Sequence, residues 1–208
     1  MEQTRSSVCV FCGSNDGARP EYRRAAVAVG RALAESGLTL VYGGAHVGLM
    51  GAMADAALEG GGAVIGVIPR GLELRELAHP NLTELHVVET MHERKAKMAA
   101  LAGAFLALPG GLGTLDEFFE ILTWAQLGIH RLPCLMLNTE GYFDTLLKFL
   151  ETGVEQRFVQ WKEHARIHLA TQPAEVVPLL RRLWRELRPA EYIGQPLPGS
   201  ETGEIPQP

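Results

Sequence analysis

Short apolar runs alternate with amphipathic stretches almost from one end of the chain to the other. The runs at 7–11, 38–41, 63–68, 85–88, 104–108 and 134–137 are too short for helices and rich in Val, Ile, Leu and Phe, so each reads as a strand. Between them apolar residues recur at spacings of three and four, which predicts helices over 21–36, 49–59, 91–102, 142–152 and 173–187. A further helix follows the run at 104–108, with Leu115, Phe118, Phe119 and Leu122 at i, i+3, i+4 and i+7. The stretch 70–83 follows neither period. Strands that are apolar throughout are buried on both faces, which implies a parallel sheet covered by helices on each side. The expected fold class is α/β: a Rossmann-like, doubly wound parallel sheet forming a single domain over 7–187. In such sheets ligands lie beyond the carboxyl ends of the strands. Residues 1–6 are expected to be a tail. From Arg188 onward Pro and Gly become frequent and large apolar residues scarce, so 188–208 is expected to be disordered.

Composition narrows the function classes. A formal net charge of −5 with no block of Lys and Arg lacks the electrostatic footprint of a nucleic-acid binder. No apolar run reaches the roughly 18 residues of a membrane span. The start, Met1-Glu2-Gln3-Thr4-Arg5, lacks the basic-then-apolar layout of a signal peptide. Three cysteines are too few, and odd in number, for a disulfide framework, so a reducing, cytoplasmic location is expected. Cys9 and Cys12 have the spacing of a redox pair. On a strand, however, i and i+3 face opposite sides of the sheet, whereas reactive pairs sit at helix N-termini. His164 and His168 are four apart with no third ligand at suitable spacing, so no metal site is expected.

Candidate chemistry concentrates in Pro109-Gly110-Gly111-Leu112-Gly113-Thr114-Leu115-Asp116-Glu117. A strand, a glycine turn and a helix start make an anion site, because unpaired amides point outward and the helix dipole adds positive charge. Thr114-x-x-Glu117 also reads as a capping box, with Thr114 as N-cap and Glu117 in the first turn. A cap needs no glycines, and here three fall within four positions behind a proline, which favours a ligand site. Glu117 would repel a phosphate, so it is expected to face another part of the ligand, where chemistry could occur.

A second glycine-rich turn, Gly43-Gly44-Ala45-His46-Val47-Gly48-Leu49-Met50-Gly51, also opens a helix. Leu49 and Met50 stand where a P-loop needs Lys and Ser or Thr, and the spacing of a dinucleotide fingerprint fails. A third strand-end turn, Cys12-Gly13-Ser14-Asn15, offers a hydroxyl and amides. Ser14 and Gly44 are therefore candidate phosphate contacts. In Met91-His92-Glu93-Arg94-Lys95-Ala96-Lys97-Met98, Arg94 and Lys95 fall in the first turns of a helix, where cations oppose the dipole. Such a placement calls for an anionic partner in space, either a carboxylate or a ligand.

The three blocks, Gly43 to Gly51, Met91 to Met98 and Pro109 to Glu117, in this order and spacing resemble the Lonely Guy family of cytokinin riboside 5′-monophosphate phosphoribohydrolases. The segment Thr123-Trp124-Ala125-Gln126-Leu127-Gly128-Ile129-His130 is similar to that family as well. Ala45 stands where a third glycine is common, and Leu112 where relatives often carry an aromatic. The resemblance implies Arg94 and Glu117 as the essential catalytic pair. It implies nucleotide contacts from Glu76, Arg94 with Lys95, Gly111, Leu112, Gly113, Thr114, Leu115, Asp116, Glu117 and Thr123. It also implies a homodimer with active sites near the interface, to which apolar surface around Trp124 and Leu127 would contribute.

The expected reaction is hydrolysis of the N-glycosidic bond of a purine nucleoside 5′-monophosphate, either AMP or an N6-modified relative, without a cofactor. Asp116 and solvent are the candidates for protonating the leaving base. The competing expectation is a non-catalytic nucleotide or molybdenum-cofactor carrier on the same scaffold. A decarboxylase is disfavoured, since no lysine sits in a recognisable pyridoxal-phosphate context.

Overall fold

The computed structural model describes residues 6–73 and 77–187. Seven strands form one parallel sheet in the order β4-β3-β2-β1-β5-β6-β7. They are β1 (Ser7–Phe11), β2 (Thr39–Tyr42), β3 (Val64–Pro69), β4 (Glu84–Val88), β5 (Phe105–Ala107), β6 (Cys134–Leu137) and β7 (Ile167–Ala170). The helices are α1 (Pro20–Glu35), α2 (Gly48–Glu59), α3 (Arg70–Glu73), α4 (Met91–Leu101), α5 (Leu112–Gln126), α6 (Asp144–Glu155), α7 (Trp161–His164) and α8 (Pro173–Glu186). This is the doubly wound sheet that the apolar runs predict.

Both sheet faces are filled. Val8, Val10 and Cys12 of the first strand and its exit point join a core that includes residues of α1, α2 and α8. Cys9 and Phe11 face the other way, into a core with Met98 of α4 and Phe118 and Ile121 of α5. Cys9 and Cys12 therefore lie on opposite faces. They are free, as is Cys134, and burial pushes all three thiols up, Cys134 to about 12. β7 went unseen in the apolar pattern because it is a short edge strand: Leu169 is exposed, His168 is half-buried and only Ala170 is fully covered. The helix expected from 142 begins at Asp144, after a tight turn at Thr139–Gly141 in which Glu140 has φ of 54°.

The sheet order sets the position of the site. From β1 the chain steps outward through β2 and β3 to β4, then returns to place β5 on the opposite side of β1. The turns leaving β1 and β5 consequently diverge side by side, and this reversal point is where open α/β sheets bind ligands. The two turns are joined by a bond from Gly13 N to Pro109 O of 3.0 Å.

Candidate active site

Helix α5 does not begin at Thr114. Its N-cap is Gly111 and its first helical residue is Leu112, which places Thr114 third and Glu117 sixth, in the second turn. The capping-box reading of Thr114 and Glu117 is thus corrected: the Pro109-Gly110 turn delivers the chain to the helix earlier. Thr114, Glu117, Phe118, Ile121 and Ala125 are the buried residues of α5, at the spacing of one face. Glu117 is therefore a carboxylate on an inward, mostly apolar stripe. A side-chain N-cap does exist one helix earlier, where Thr90 Oγ1 accepts from Glu93 N at 3.1 Å and starts α4.

On α4 the two buried residues are Arg94 and Met98, one turn apart. The Arg94 side chain crosses to α5, and its Nη1 donates to Glu117 Oε1 at 2.8 Å. Its Nε donates to the carbonyl of Val67 on β3 at 3.1 Å. Its Nη2 lies where a side chain at position 43 would be, since a Cβ on Gly43 would fall 2.0 Å from it. The pair is nearly enclosed, with side-chain exposures of 10% for Arg94 and 9% for Glu117. Burial holds the Glu117 carboxyl above its ordinary range, and the Arg94 guanidinium pulls against that rise. Charges in such a site interact far more strongly than in water.

Lys95 makes a second connection between the helices, with Nζ 3.2 Å from Asp116 Oδ2 and 3.0 Å from Glu120 Oε2. Burial works against its charge, but the carboxylates of Glu120 and Asp116 outweigh that effect and hold the ammonium above its ordinary value. The positions of Arg94 and Lys95 early in α4 are explained by these carboxylate partners.

Above the pair, α5 presents its first turn. Gly111, Leu112 and Gly113 are exposed, and among the described residues the amides of Leu112, Gly113 and Thr114 find no backbone acceptor. The N-terminus of α2 is engaged differently: Leu49 N donates to Gly13 O at 3.1 Å. Gly48, with φ of 57°, lets that helix press onto the backbone of Ser14, where a Cβ would come within 2.3 Å. Ser14 itself is exposed at the exit of β1. Gly44 is buried, and its carbonyl accepts from His79 N at 2.9 Å.

The remaining predicted contacts are more dispersed. Leu115 is half-buried, and Asp116 is exposed apart from its Lys95 contact. Thr123 is exposed, its hydroxyl donating to Phe119 O at 2.8 Å. Six residues beyond Glu117, it is turned by about 120° around the helix and sits about 9 Å further along, so one copy does not bring the two together. Glu76 lies outside the described residues. Just beyond it the backbone is anchored, with His46 N donating to Leu77 O at 3.0 Å.

Four features were missed by motif reading: the Val67 carbonyl, the slot left by Gly43, Glu120, and Tyr142, whose hydroxyl meets Gly110 O at 2.5 Å. Two of these left a signal in the sequence: Gly43 opens the second glycine-rich turn, and Glu120 stands one helical turn beyond Asp116 and so on the same face.

A family model described as "Possible lysine decarboxylase" matches residues 50–180. A cytokinin riboside 5′-monophosphate phosphoribohydrolase of Rhodococcoides fascians is 52% identical over 79% of this chain and 83% of its own length. One from Arabidopsis thaliana is 43% identical over 97% of this chain and 98% of its own. Among solved structures, a molybdenum cofactor binding protein from Rippkaea orientalis superposes with a TM-score of 0.67 at 20% identity, covering 86% of this chain and 98% of that one. At that identity the likeness speaks for the shared fold alone. With the motif blocks in place, a matched family model and relatives this similar over most of their length, the chain belongs to the Lonely Guy family of cytokinin riboside 5′-monophosphate phosphoribohydrolases.

Proposed function

We propose that the protein hydrolyses the N-glycosidic bond of a purine nucleoside 5′-monophosphate, releasing the free base and ribose 5-phosphate. The observation that carries this reading is the buried Arg94–Glu117 pair beneath the open amides of α5. The 5′-phosphate sits at the first turn of α5, reached by the amides of Leu112, Gly113 and Thr114 and by Ser14 from the β1 exit. The ribose then lies over Glu117, and Lys95, Asp116 and Glu76 complete the nucleotide contacts. Breaking the bond builds positive charge on the sugar, as in other glycoside hydrolyses. An enclosed carboxylate opposes that charge without having to reorganise. The raised proton affinity of Glu117 also suits it to orient the attacking water.

A guanidinium is a poor general acid and a good bidentate fork, so Arg94 is assigned to positioning. It holds Glu117 in place while fixed itself by Val67 O. A carrier has no use for an enclosed carboxylate beside bound phosphate, which is why hydrolysis is preferred to binding alone.

The active form is a homodimer built on the outer faces of α4 and α5. Leu127 is 68% exposed and Leu112 88% exposed, more apolar surface than an isolated chain gains from leaving in water. Thr123, exposed on the same helix, reaches a nucleotide in that assembly rather than within one copy. Among the described residues no helix is long and apolar enough to cross a membrane, and three buried free thiols fit a cytoplasmic location.

Incubation with AMP and with N6-isopentenyl-AMP, followed by chromatography, tests the reaction. Free base and ribose 5-phosphate are expected, and the two rates rank the substrates. Binding of both nucleotides without release of base would favour the carrier.

A further inference from the structure

We propose that Tyr142 is a positioning residue that aims the Gly111 amide into the phosphate site, an inference that rests on the hydrolase reading above. Its hydroxyl donates to Gly110 O at 2.5 Å, from 32 positions away and from the connection between β6 and α6. This bond grips the one peptide unit of the motif that lies between two glycines. Glycine backbones cross conformational space at little cost, so that unit would otherwise turn easily. The described chain has no cis peptide bond. In a trans peptide the carbonyl and the next N–H point in opposite directions. Holding Gly110 O toward Tyr142 therefore sends Gly111 N–H the other way. Gly111 is the N-cap of α5, so its amide heads the same row as those of Leu112, Gly113 and Thr114.

Tyr142 is built to hold still. Its ring meets Tyr22 of α1 edge-on at 5.5 Å between centroids, and Phe143 edge-on at 5.0 Å. Phe143 is buried, and its N–H is held by Asn138 Oδ1 at 2.7 Å, while Asn138 Nδ2 donates to Asp144 at 2.7 Å. The phenol thus reaches the loop from a braced turn on a different strand. No bond within the loop's own backbone does this, because Gly110 precedes the helix.

Tyr142→Phe removes the hydroxyl and keeps the ring contacts. An aimed amide on a charged phosphate contributes about tenfold. The variant should lower the kcat/KM preference for AMP over adenosine about tenfold, and weaken ribose 5-phosphate binding by calorimetry to a similar extent. In the wild type, ribose 5-phosphate should move the Gly111 amide resonance downfield, and the variant should lose most of that shift. An unchanged preference with unchanged ribose 5-phosphate affinity overturns the role of Tyr142 while leaving the hydrolase reading intact. A lowered melting temperature with equal losses on AMP and adenosine also overturns it, leaving only a structural brace. Conversely, tyrosine-dependent binding of ribose 5-phosphate by a wild type that releases no base would sustain the role of Tyr142 and end the hydrolase reading.

Discussion

Gly43 and Arg94 share one space: a methyl group at position 43 would lie 2.0 Å from Arg94 Nη2. The guanidinium that holds Glu117 threads past the end of β2 only because nothing projects there. Gly43 is not among the residues with positive φ, so alanine suits its backbone; the added methyl collides with the arginine and crowds the flexible Met50 side chain, whose Sδ would lie 3.1 Å away. Gly43→Ala should therefore fold, as read by circular dichroism, while displacing Arg94 and lowering kcat by about a hundredfold or more. Near-wild-type turnover would show that the Arg94 position is not required.

Glu117→Gln keeps the shape and removes the charge. A loss of at least about a hundredfold in kcat is expected, the scale of removing one electrostatic stabiliser. Activity within a few-fold of wild type would leave Glu117 a merely structural carboxylate.

The same variant has a signature in stability. Burial raises the proton affinity of Glu117 in the folded state above that in the unfolded chain. The stability this contributes is fully present below the ordinary carboxylate range, near about pH 4, and is lost as pH rises through the raised value. Glutamine does not titrate. The melting temperature of Glu117→Gln relative to wild type should thus climb between about pH 4 and pH 7. A flat or falling difference would place the carboxyl at or below its ordinary range.

Arg94→Lys keeps a charge but not the fork. The bonds to Val67 O and Glu117 Oε1 leave from different nitrogens of one rigid plane, at 3.1 and 2.8 Å, and a single ammonium cannot reproduce both directions. Steady-state kinetics should show kcat/KM down by about a hundredfold. If lysine works nearly as well, Arg94 supplies positive potential alone.

The 5′-phosphate should be required for efficient turnover. Binding energy from the open amides of α5 positions the sugar over Glu117, and such remote energy appears in kcat as well as KM. Adenosine should have kcat/KM lower than AMP by on the order of a thousandfold, about 4 kcal/mol of transition-state stabilisation. Equal efficiency on the two would remove the phosphate site from the start of α5.

Dimerisation is checked by light scattering. Wild type at micromolar concentration should scatter as a dimer, and Leu127→Glu, which places a charge on the exposed apolar end of α5, as a monomer. A monomeric wild type would leave Thr123 without a route to the nucleotide.

The alternation of strands and helices, the motif at Pro109–Glu117 and the basic start of α4 were all legible along the chain because each is local. An apolar run reports burial on both faces, a glycine turn reports close backbone approach, and a cation in the wrong half of a helix reports a missing partner. Periodicity predicts an α5 stripe of Leu115, Phe118, Phe119 and Leu122 that leaves Glu117 out, whereas the buried face is Thr114, Glu117, Phe118, Ile121 and Ala125. Strand order made the pairing: β5 lies beside β1 rather than beside β4, so α4 crosses back under the sheet and its Arg94 finds Glu117 at 23 positions' remove. The N-cap reading of Thr114 failed for the same kind of reason, because the start of α5 depends on how the Pro109-Gly110 turn leaves the sheet. Tyr142 and the Val67 carbonyl were invisible in the chain, since one is a common aromatic and the other a backbone atom. Only packing across the sheet gives either of them a partner.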